Sequence, residues 1–380
     1  MPPATSLFSC GTQRASALDA DLPKCFADVA SCCHNSLITS TRQIASIPRG
    51  STDSHLGRIV RLLADHATVV VSGTKIAGEL HTSRSEVWRL VQQLRLLGLE
   101  IAGHPATGYQ LKKVPDLLLP EFLAPLLKET IFGGRMRHYF KIASTNASAM
   151  QAAAAGEPEG TLFIAEEQTA GRGRGGHTWH SPRSGGIYCS FLLRPQLAPA
   201  DALLLPLAAG LATSAAVEQV TGLRPDLRWP NDLLLGGKKF CGILAEMNAE
   251  ATRVRYAVVG IGMNVNQMRF PADLQSLATS LRLESGQEWS RLQVAAALLK
   301  SLHRECVALT RSARGCILRR FQERSSYTCG KLVHVEEDGA GGGGYEGITE
   351  GLDARGFLQV KTQSGLRTVI SGGVRELPED

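Results

Sequence analysis

Residues Ala165–Trp179 read AEEQTAGRGRGGHTW, and the choice of fold turns on them. Within them Gly171-Arg172-Gly173-Arg174-Gly175-Gly176 matches the spacing GxGxxG. In a dinucleotide-binding βαβ unit that spacing opens an apolar helix and is followed about 20 residues later by an acidic strand end. Here HTWHSP comes next, with Pro182, and then another strand-like run, GGIYCSFLLR. The dinucleotide-binding fold is therefore excluded. A disordered Arg-Gly segment of the RNA-binding kind is excluded too, because the loop is single and lies between two apolar strands. Glycine lets the backbone approach a ligand closely, and each arginine brings a permanent charge with a planar fork of donors suited to carboxylate or phosphate. The stretch is a pliable loop for an anion.

Strand-like runs flank the loop: TLFIAEEQ and GGIYCSFLLR beside it, then LRWPNDLLL, KKFCGILAEM and YAVVGIGMNV. Ala/Leu-rich helices at Asp201–Val220 and Arg291–Ala308 separate some of them. The alternation is not a regular βαβ repeat, so one mixed sheet flanked by helices is expected over residues 136–327. Beyond it, HVEED, YEGITEGLD, GFLQVKT and LRTVISGGV are short strands split by glycine turns, which predict a small β-barrel over residues 328–380. The expected class is α+β.

Upstream, LGRIVRLLAD carries a helical stripe of Leu56, Ile59, Val60, Leu62 and Leu63. A helix-turn-helix runs from Ser72 to Val91: Ile76, Ala77 and Leu80 make a short helix face, HTS turns, and Ser83 caps a longer helix. GLEIAGHPATGYQL adds two short strands, completing a winged helix-turn-helix over residues 55–114. The open face of the second helix carries Arg84, Ser85, Trp88, Arg89 and Gln92, types suited to phosphate and base edges. The plainer alternative is a helical protein-interaction module with solvated arginines. Val114–Glu129 reads VPDLLLPEFLAPLLKE, so residues 115–135 are expected as a linker helix and residues 1–54 as a disordered extension.

Of the 380 residues, 43% are hydrophobic and 20% charged, the make-up of an ordinary soluble protein. A net charge of +6 permits nucleic-acid contact without requiring it. The nine cysteines include no CxxC pair, which argues against a disulfide framework or a zinc site and for a cytoplasmic setting. No uninterrupted apolar run has the length of a membrane span, and no membrane partner is expected.

Four further clusters place polar groups at the ends of apolar strands. Ser144-Thr145-Asn146 offers two hydroxyls and an amide, for a ligand or for a helix cap. Arg228-Trp229-Pro230-Asn231-Asp232 is a site or a β-turn. Gly237-Lys238-Lys239-Phe240-Cys241-Gly242 sets a lysine pair, catalytic or merely solvated, at a strand start. Gly260-Ile261-Gly262-Met263-Asn264 ends a strand with glycines and an amide.

In this order and spacing the clusters resemble the biotin–protein ligases of the bifunctional ligase and repressor type, over residues 55–377. The resemblance implies a catalytic domain like that of class II aminoacyl-tRNA synthetases and an SH3-like C-terminal barrel. It implies that biotin and ATP, with Mg2+ as part of the nucleotide complex, form biotinyl-5′-AMP, and that a lysine of a biotin carboxyl carrier domain then accepts the biotinyl group. Lys239, Arg172, Arg174 and Asp232 are the catalytic candidates, with Asp232 open between orienting the acceptor lysine and holding magnesium. Ser144, Thr145, Asn146, Gln168, Arg172, Gly173, Arg174 and Lys239 would bind biotin, with Trp179 packing the wall. Gly171, Asn231 and Asn264 would face the nucleotide. Arg84, Ser85, Arg89 and Gln92 would face operator DNA of biotin-synthesis genes, with a homodimer promoted by biotinyl-AMP. No protein-held metal is expected. Two departures stand out: Gly175 replaces a basic residue frequent after GRGR, and Arg228 a common lysine. A lipoate or octanoyl ligase, or a non-catalytic biotin-sensing repressor, are the alternative readings.

Overall fold

The computed structural model describes residues 52–113, 116–307, 309, 314–336, 344–370 and 372–377. The extension expected over residues 1–54 lies outside them, except that Thr52 opens the first helix. That helix, α1 (Thr52–Asp65), buries Leu56, Ile59, Val60 and Leu63. The Ser72 hydroxyl accepts from the Lys75 amide and starts α2 (Gly73–Leu80). His81 turns the chain in the left-handed region at φ 53, and Ser83, accepting from the Glu86 amide at 3.1 Å, starts α3 (Arg84–Leu96). Strands β1 (Ile101–His104) and β2 (Gly108–Leu111) pair antiparallel as the wing. Arg95 fastens α3 to it, donating to the Ile101 and Gly103 carbonyls at 2.9 Å.

The expected linker helix is not one. Only α4 (Pro120–Leu123) and a single 3-10 turn (Ala124–Leu126) form. Pro120 can begin a helix, but Pro125 has no N–H to continue it and its ring opposes the preceding turn. Just before, the chain is extended and alternates sides. Leu117 and Leu119 pack into the helix-turn-helix core, while Leu118 enters the core of the next domain. The segment is a strap shared by two cores.

The central sheet has seven strands in the order β3-β4-β5-β9-β8-β7-β6, parallel only between β3 and β4. Their ranges are β3 Met136–Tyr139, β4 Leu162–Ala165, β5 Gly186–Leu193, β6 Asp226–Arg228, β7 Asp232–Leu235, β8 Lys238–Ala249 and β9 Val254–Asn264. One face is covered by α6 (Leu204–Thr221), α8 (Arg291–Val307) and α9 (Arg314–Glu323), packed on Ile164, Cys189, Phe191, Ile243 and Ile261. The other face is half covered by α5 (Thr145–Ala154), whose Ala149 and Ala152 sit on Phe163, Leu192 and Val258. Its uncovered half is the site described below. A short α7 (Leu281–Ser285) follows β9.

One stretch, Pro199–Thr221, has the length and apolar character of a membrane-crossing helix, which the sequence reading passes over. In the fold it is the central helix of the core, with 72% of its most apolar window buried.

The C-terminal residues form an antiparallel sheet of β10 (Cys329–Glu336), β11 (Gly344–Leu352), β12 (Leu358–Thr362), β13 (Gly365–Val369) and β14 (Gly373–Glu376), in the order β13-β12-β11-β10-β14. The run LRTVISGGV supplies two strands rather than one. Val333, Val335, Leu358 and Val360 join the central core from this sheet. Trp229, 2% exposed, reinforces the junction by donating from Nε1 to the Gly356 carbonyl at 2.9 Å. Trp229→Phe keeps an aromatic side chain but loses the N–H donor and part of the buried volume, so stability should fall by at least about 1–3 kcal/mol. Urea unfolding measures it, and an unshifted midpoint would remove the clamp.

Candidate active site and the helix-turn-helix face

Strand register lays out the floor of the site. Partners directly opposite share a face, so Ala165, Tyr188, Gly262, Gly242 and Asp232 form one row across β4, β5, β9, β8 and β7. The next row holds Ser190 and Gly260. Gly262 and Gly242 leave the middle of the floor bare. A Cβ on Gly262 would land inside the Trp179 indole, and one on Gly242 would come 3.1 Å from both Trp179 Cζ3 and Lys239 Cε. Asn146 lies in the same way on Gly260.

A bulge selects which lysine faces this floor. Leu233 pairs with Cys241, but Leu234 pairs with Lys239, leaving Phe240 as the extra residue. Phe240 and Cys241 both face the core, so Lys239 turns onto the face of Gly242 while Lys238 is exposed. The Lys239 ammonium lies 2.6 Å from Asp232 Oδ1 and 5.4 Å from the centre of the Trp179 ring. Arg228 Nη2 donates to Asp232 Oδ2 at 2.7 Å. Burial works to raise the Asp232 carboxyl, but Lys239 and Arg228 outweigh it and hold it below its ordinary value. Both of its oxygens are engaged by cations. A magnesium ion would have to displace one of them, so Asp232 fits a holder of Lys239 better than a metal ligand. Among the described residues no group of three or more His, Cys, Asp or Glu could hold a metal.

The Arg-Gly loop is a hairpin, not a helix start. Gln168 bridges to Ser181 and Arg172 to Thr178, and the tip is a single turn at Arg174–Gly176. Gly175 and Gly176 there take φ 64 and 81, a region that favours glycine. Gly173 donates to the His177 carbonyl at 2.7 Å. Gly171 is crowded by the Trp179 carbonyl and the Ser181 hydroxyl. Arg172 is exposed. Arg174 Nη1 donates to the Gly372 carbonyl at 2.9 Å, tying the hairpin tip to the C-terminal sheet.

A polar patch adjoins the floor. Gln168 Oε1 accepts from the Thr145 amide at 2.8 Å and from its hydroxyl at 3.1 Å, while Nε2 donates to Ser181 Oγ. Ser190 Oγ lies 2.7 Å from Thr145 Oγ1 and 2.5 Å from Asn146 Oδ1. Ser181 Oγ donates to the Trp179 carbonyl. One chain of contacts thus runs from Lys239 through Trp179, Ser181 and Gln168 to Thr145 and Ser190. Four of the expected ligands have partners within the protein. Ser144 caps α5, accepting from the Ala147 amide. Asn146 donates to Glu246 and the Leu244 carbonyl. Asn231 and Asn264 donate to the Ile243 and Thr279 carbonyls, so their amides brace strands and loop. Sequence reasoning missed Ser190 and Ser181, and it named Arg228 within the Arg228–Asp232 cluster without giving it a role. The signal for Ser190 was a hydroxyl inside the apolar run GIYCSFLL.

On the helix-turn-helix, Ser85, Trp88 and Arg89 are exposed on α3. Arg84 Nη2 donates to the wing at the Pro105 carbonyl, 2.8 Å. Arg89 holds Glu86 through two bonds of 2.8 and 2.6 Å, which orients its guanidinium and partly offsets its charge. The Gln92 amide lies beside Arg95 Nη1 and Trp88 Nε1, and with its oxygen turned toward them it accepts from both, at 2.9 and 3.3 Å.

Fold and site define a ligase of the carboxylate-activating class joined to a DNA-binding unit. The family model "Biotin/lipoate A/B protein ligase family" matches residues 141–264, "HTH domain" 56–110 and "Biotin protein ligase C terminal domain" 328–374. The bifunctional ligase/repressor BirA of Bacillus spizizenii is 33% identical over 329 residues, 83% of this chain and 97% of the relative. That of Escherichia coli is 28% identical over 80% of this chain and 91% of its own length. The solved biotin protein ligase from Aquifex aeolicus in complex with biotin and ATP superposes with a TM-score of 0.56 at 29% identity, covering 64% of this chain and all of that one. The chain belongs to the biotin protein ligase family of the ligase/repressor type.

Two predictions follow from the floor and its ion pairs. Gly262→Ala must lift Trp179 off the sheet, so biotin affinity should fall at least about tenfold, the factor that 1.4 kcal/mol of lost contact corresponds to. Calorimetric titration checks it, and unchanged affinity would mean the indole does not line the ligand. Asp232 titrates below its ordinary value when folded, so its contribution is fully present at neutral pH and disappears as pH falls below about 4. The stability difference between wild type and Asp232→Asn should therefore be flat from about pH 6 to 8 and shrink in acid. A difference growing in acid would refute the assignment.

Proposed function

We propose that this protein ligates biotin to a lysine of a biotin carboxyl carrier domain, such as that of acetyl-CoA carboxylase, and is a biotin-responsive transcriptional repressor in the cytoplasm. The observation that carries the ligase reading is the Lys239 ammonium, held by Asp232 over the glycine floor and bordered by the Thr145–Gln168–Ser190 patch. A biotin carboxylate oxygen attacks the α-phosphorus of ATP, the bond to pyrophosphate breaks, and biotinyl-5′-AMP forms. Two anions meet in that step, and a fixed cation between them stabilises the transition state more than the ground state. Lys239 and Arg172 supply the positive charge, with Arg174 holding the hairpin tip. Magnesium enters as part of the nucleotide substrate. The amine of the carrier lysine then attacks the acyl carbon, loses a proton, and AMP departs. Thr145 and Gln168 present hydroxyl and amide groups to the ureido ring of biotin, whereas an octanoyl or lipoyl chain has no polar ring for them. The Trp179 indole and Gly262 bound the apolar side.

On the DNA side, Arg84, Ser85 and Arg89 face the duplex, and two copies, brought together as a homodimer by biotinyl-AMP, read two half-sites.

Labelled biotin, ATP and a carrier domain should yield labelled carrier. Lys239→Ala should lower adenylate formation by on the order of 10²-fold, while Lys238→Ala stays near wild type. Equal activity of the two variants would unseat Lys239. Arg89→Ala removes a cation and also uncovers Glu86. It should abolish a biotin- and ATP-dependent mobility shift on DNA upstream of biotin-synthesis genes while ligation is retained. A shift that survives, or that ignores biotin, would contradict the repressor reading.

A further inference from the structure

A buried ion network lies outside the chemistry above, at the base of the ligand hairpin. Glu166, 1% exposed, directly precedes the hairpin, and Ser184 near its end donates to the Glu166 carbonyl at 3.0 Å. The Glu166 carboxylate accepts from Arg291 Nη2 at 2.8 Å, from His138 Nε2 at 3.2 Å and from the Leu118 amide at 2.8 Å. Arg291, fully buried at the start of α8, also donates to the carbonyl of Gly186, the first residue after the hairpin. The same guanidinium holds Asp116 through its carboxylate at 3.3 Å and its carbonyl. Asp116 in turn accepts from the Arg291 amide at 2.9 Å and the Leu292 amide at 3.3 Å.

Asp116 and Leu118 belong to the strap whose Leu117 and Leu119 are core residues of the helix-turn-helix. Both ends of the ligand hairpin and the strap to the DNA-binding unit are therefore fastened to one carboxylate and one guanidinium. A buried pair tolerates little change in geometry, because a charge that loses its partner in low dielectric is strongly disfavoured. Movement of the hairpin on ligand binding must then be answered at Asp116 and Leu118. We propose that Glu166 is a positioning residue that couples ligand occupancy of the hairpin to the seating of the helix-turn-helix. The coupling rests on the ligase and repressor reading given above and extends it to the route between the two sites. By linkage, DNA bound to the helix-turn-helix tightens adenylate binding by the same free energy with which the adenylate favours DNA.

Hydrogen exchange on the full-length protein, with and without biotin plus ATP, tests this. In wild type both peptides 167–185 and 116–123 should slow on ligand addition, the strap by about fivefold or more, the lower range of site-to-site couplings. In Glu166→Gln the hairpin peptide should still respond while the strap response falls below about twofold, short of that range. Asp116→Asn leaves the Glu166–Arg291 pair intact, which guards against a variant that does not fold, and should also diminish the strap response. A wild-type strap that ignores ligand while the hairpin slows, or a full strap response in both variants, overturns the coupling. A hairpin that ignores biotin and ATP in wild type overturns the ligase reading itself.

Discussion

The bare patch of sheet at Gly242 and Gly262 is the constraint on which the site depends. There an indole and an aliphatic lysine stem lie directly on backbone; a methyl group at Gly262 would occupy space that Trp179 already fills, and one at Gly242 would crowd both Trp179 and Lys239. Because Trp179 is seated, Ser181 and Gln168 behind it are in register with Thr145. Because the Phe240 bulge turns Lys239 onto the same face, its ammonium reaches both Asp232 and the ring. Asp232 ends the row, and its pairing with two cations fixes where the positive charge stands.

The hairpin above this floor is held from two directions. At its base, Glu166 and Arg291 join it to the strap below the helix-turn-helix. At its tip, Arg174 reaches the C-terminal sheet at Gly372. The glycines between permit bending, so closure over a ligand bends the hairpin between its two anchors and loads both of them. A mixed anhydride is destroyed by water, and a cover attached at both ends excludes it. The three regions of the chain thus share a mechanical element, the hairpin, although their cores were legible separately.

Much of this was readable in the sequence, where local chemistry decides local structure. The cap at Ser83, the stripe of Leu56, Ile59, Val60 and Leu63 in α1, and the rejection of a helix after Gly176 all follow from residue type and spacing. The linker misled because a run of leucines outweighed Pro125, and because the alternation at Leu117, Leu118 and Leu119 serves two different cores. The partners of Asn231 and Asn264 were not legible either, because an amide beside a ligand loop looks the same in sequence whether it meets a ligand or braces a strand. The Glu166–Arg291 pair spans 125 positions, and no local pattern announces it. The choice of Lys239 over Lys238 depends on a one-residue bulge, which only strand pairing discloses.

The central claim is that this floor, with its hairpin and Lys239, activates the carboxylate of biotin. Release of pyrophosphate from ATP by the wild-type protein, measured with biotin, lipoate or octanoate as the sole carboxylic acid, tests it most directly. Pyrophosphate appearing with biotin and at background level with the other two is the predicted result. Equal release with octanoate, or none with biotin, would contradict the account.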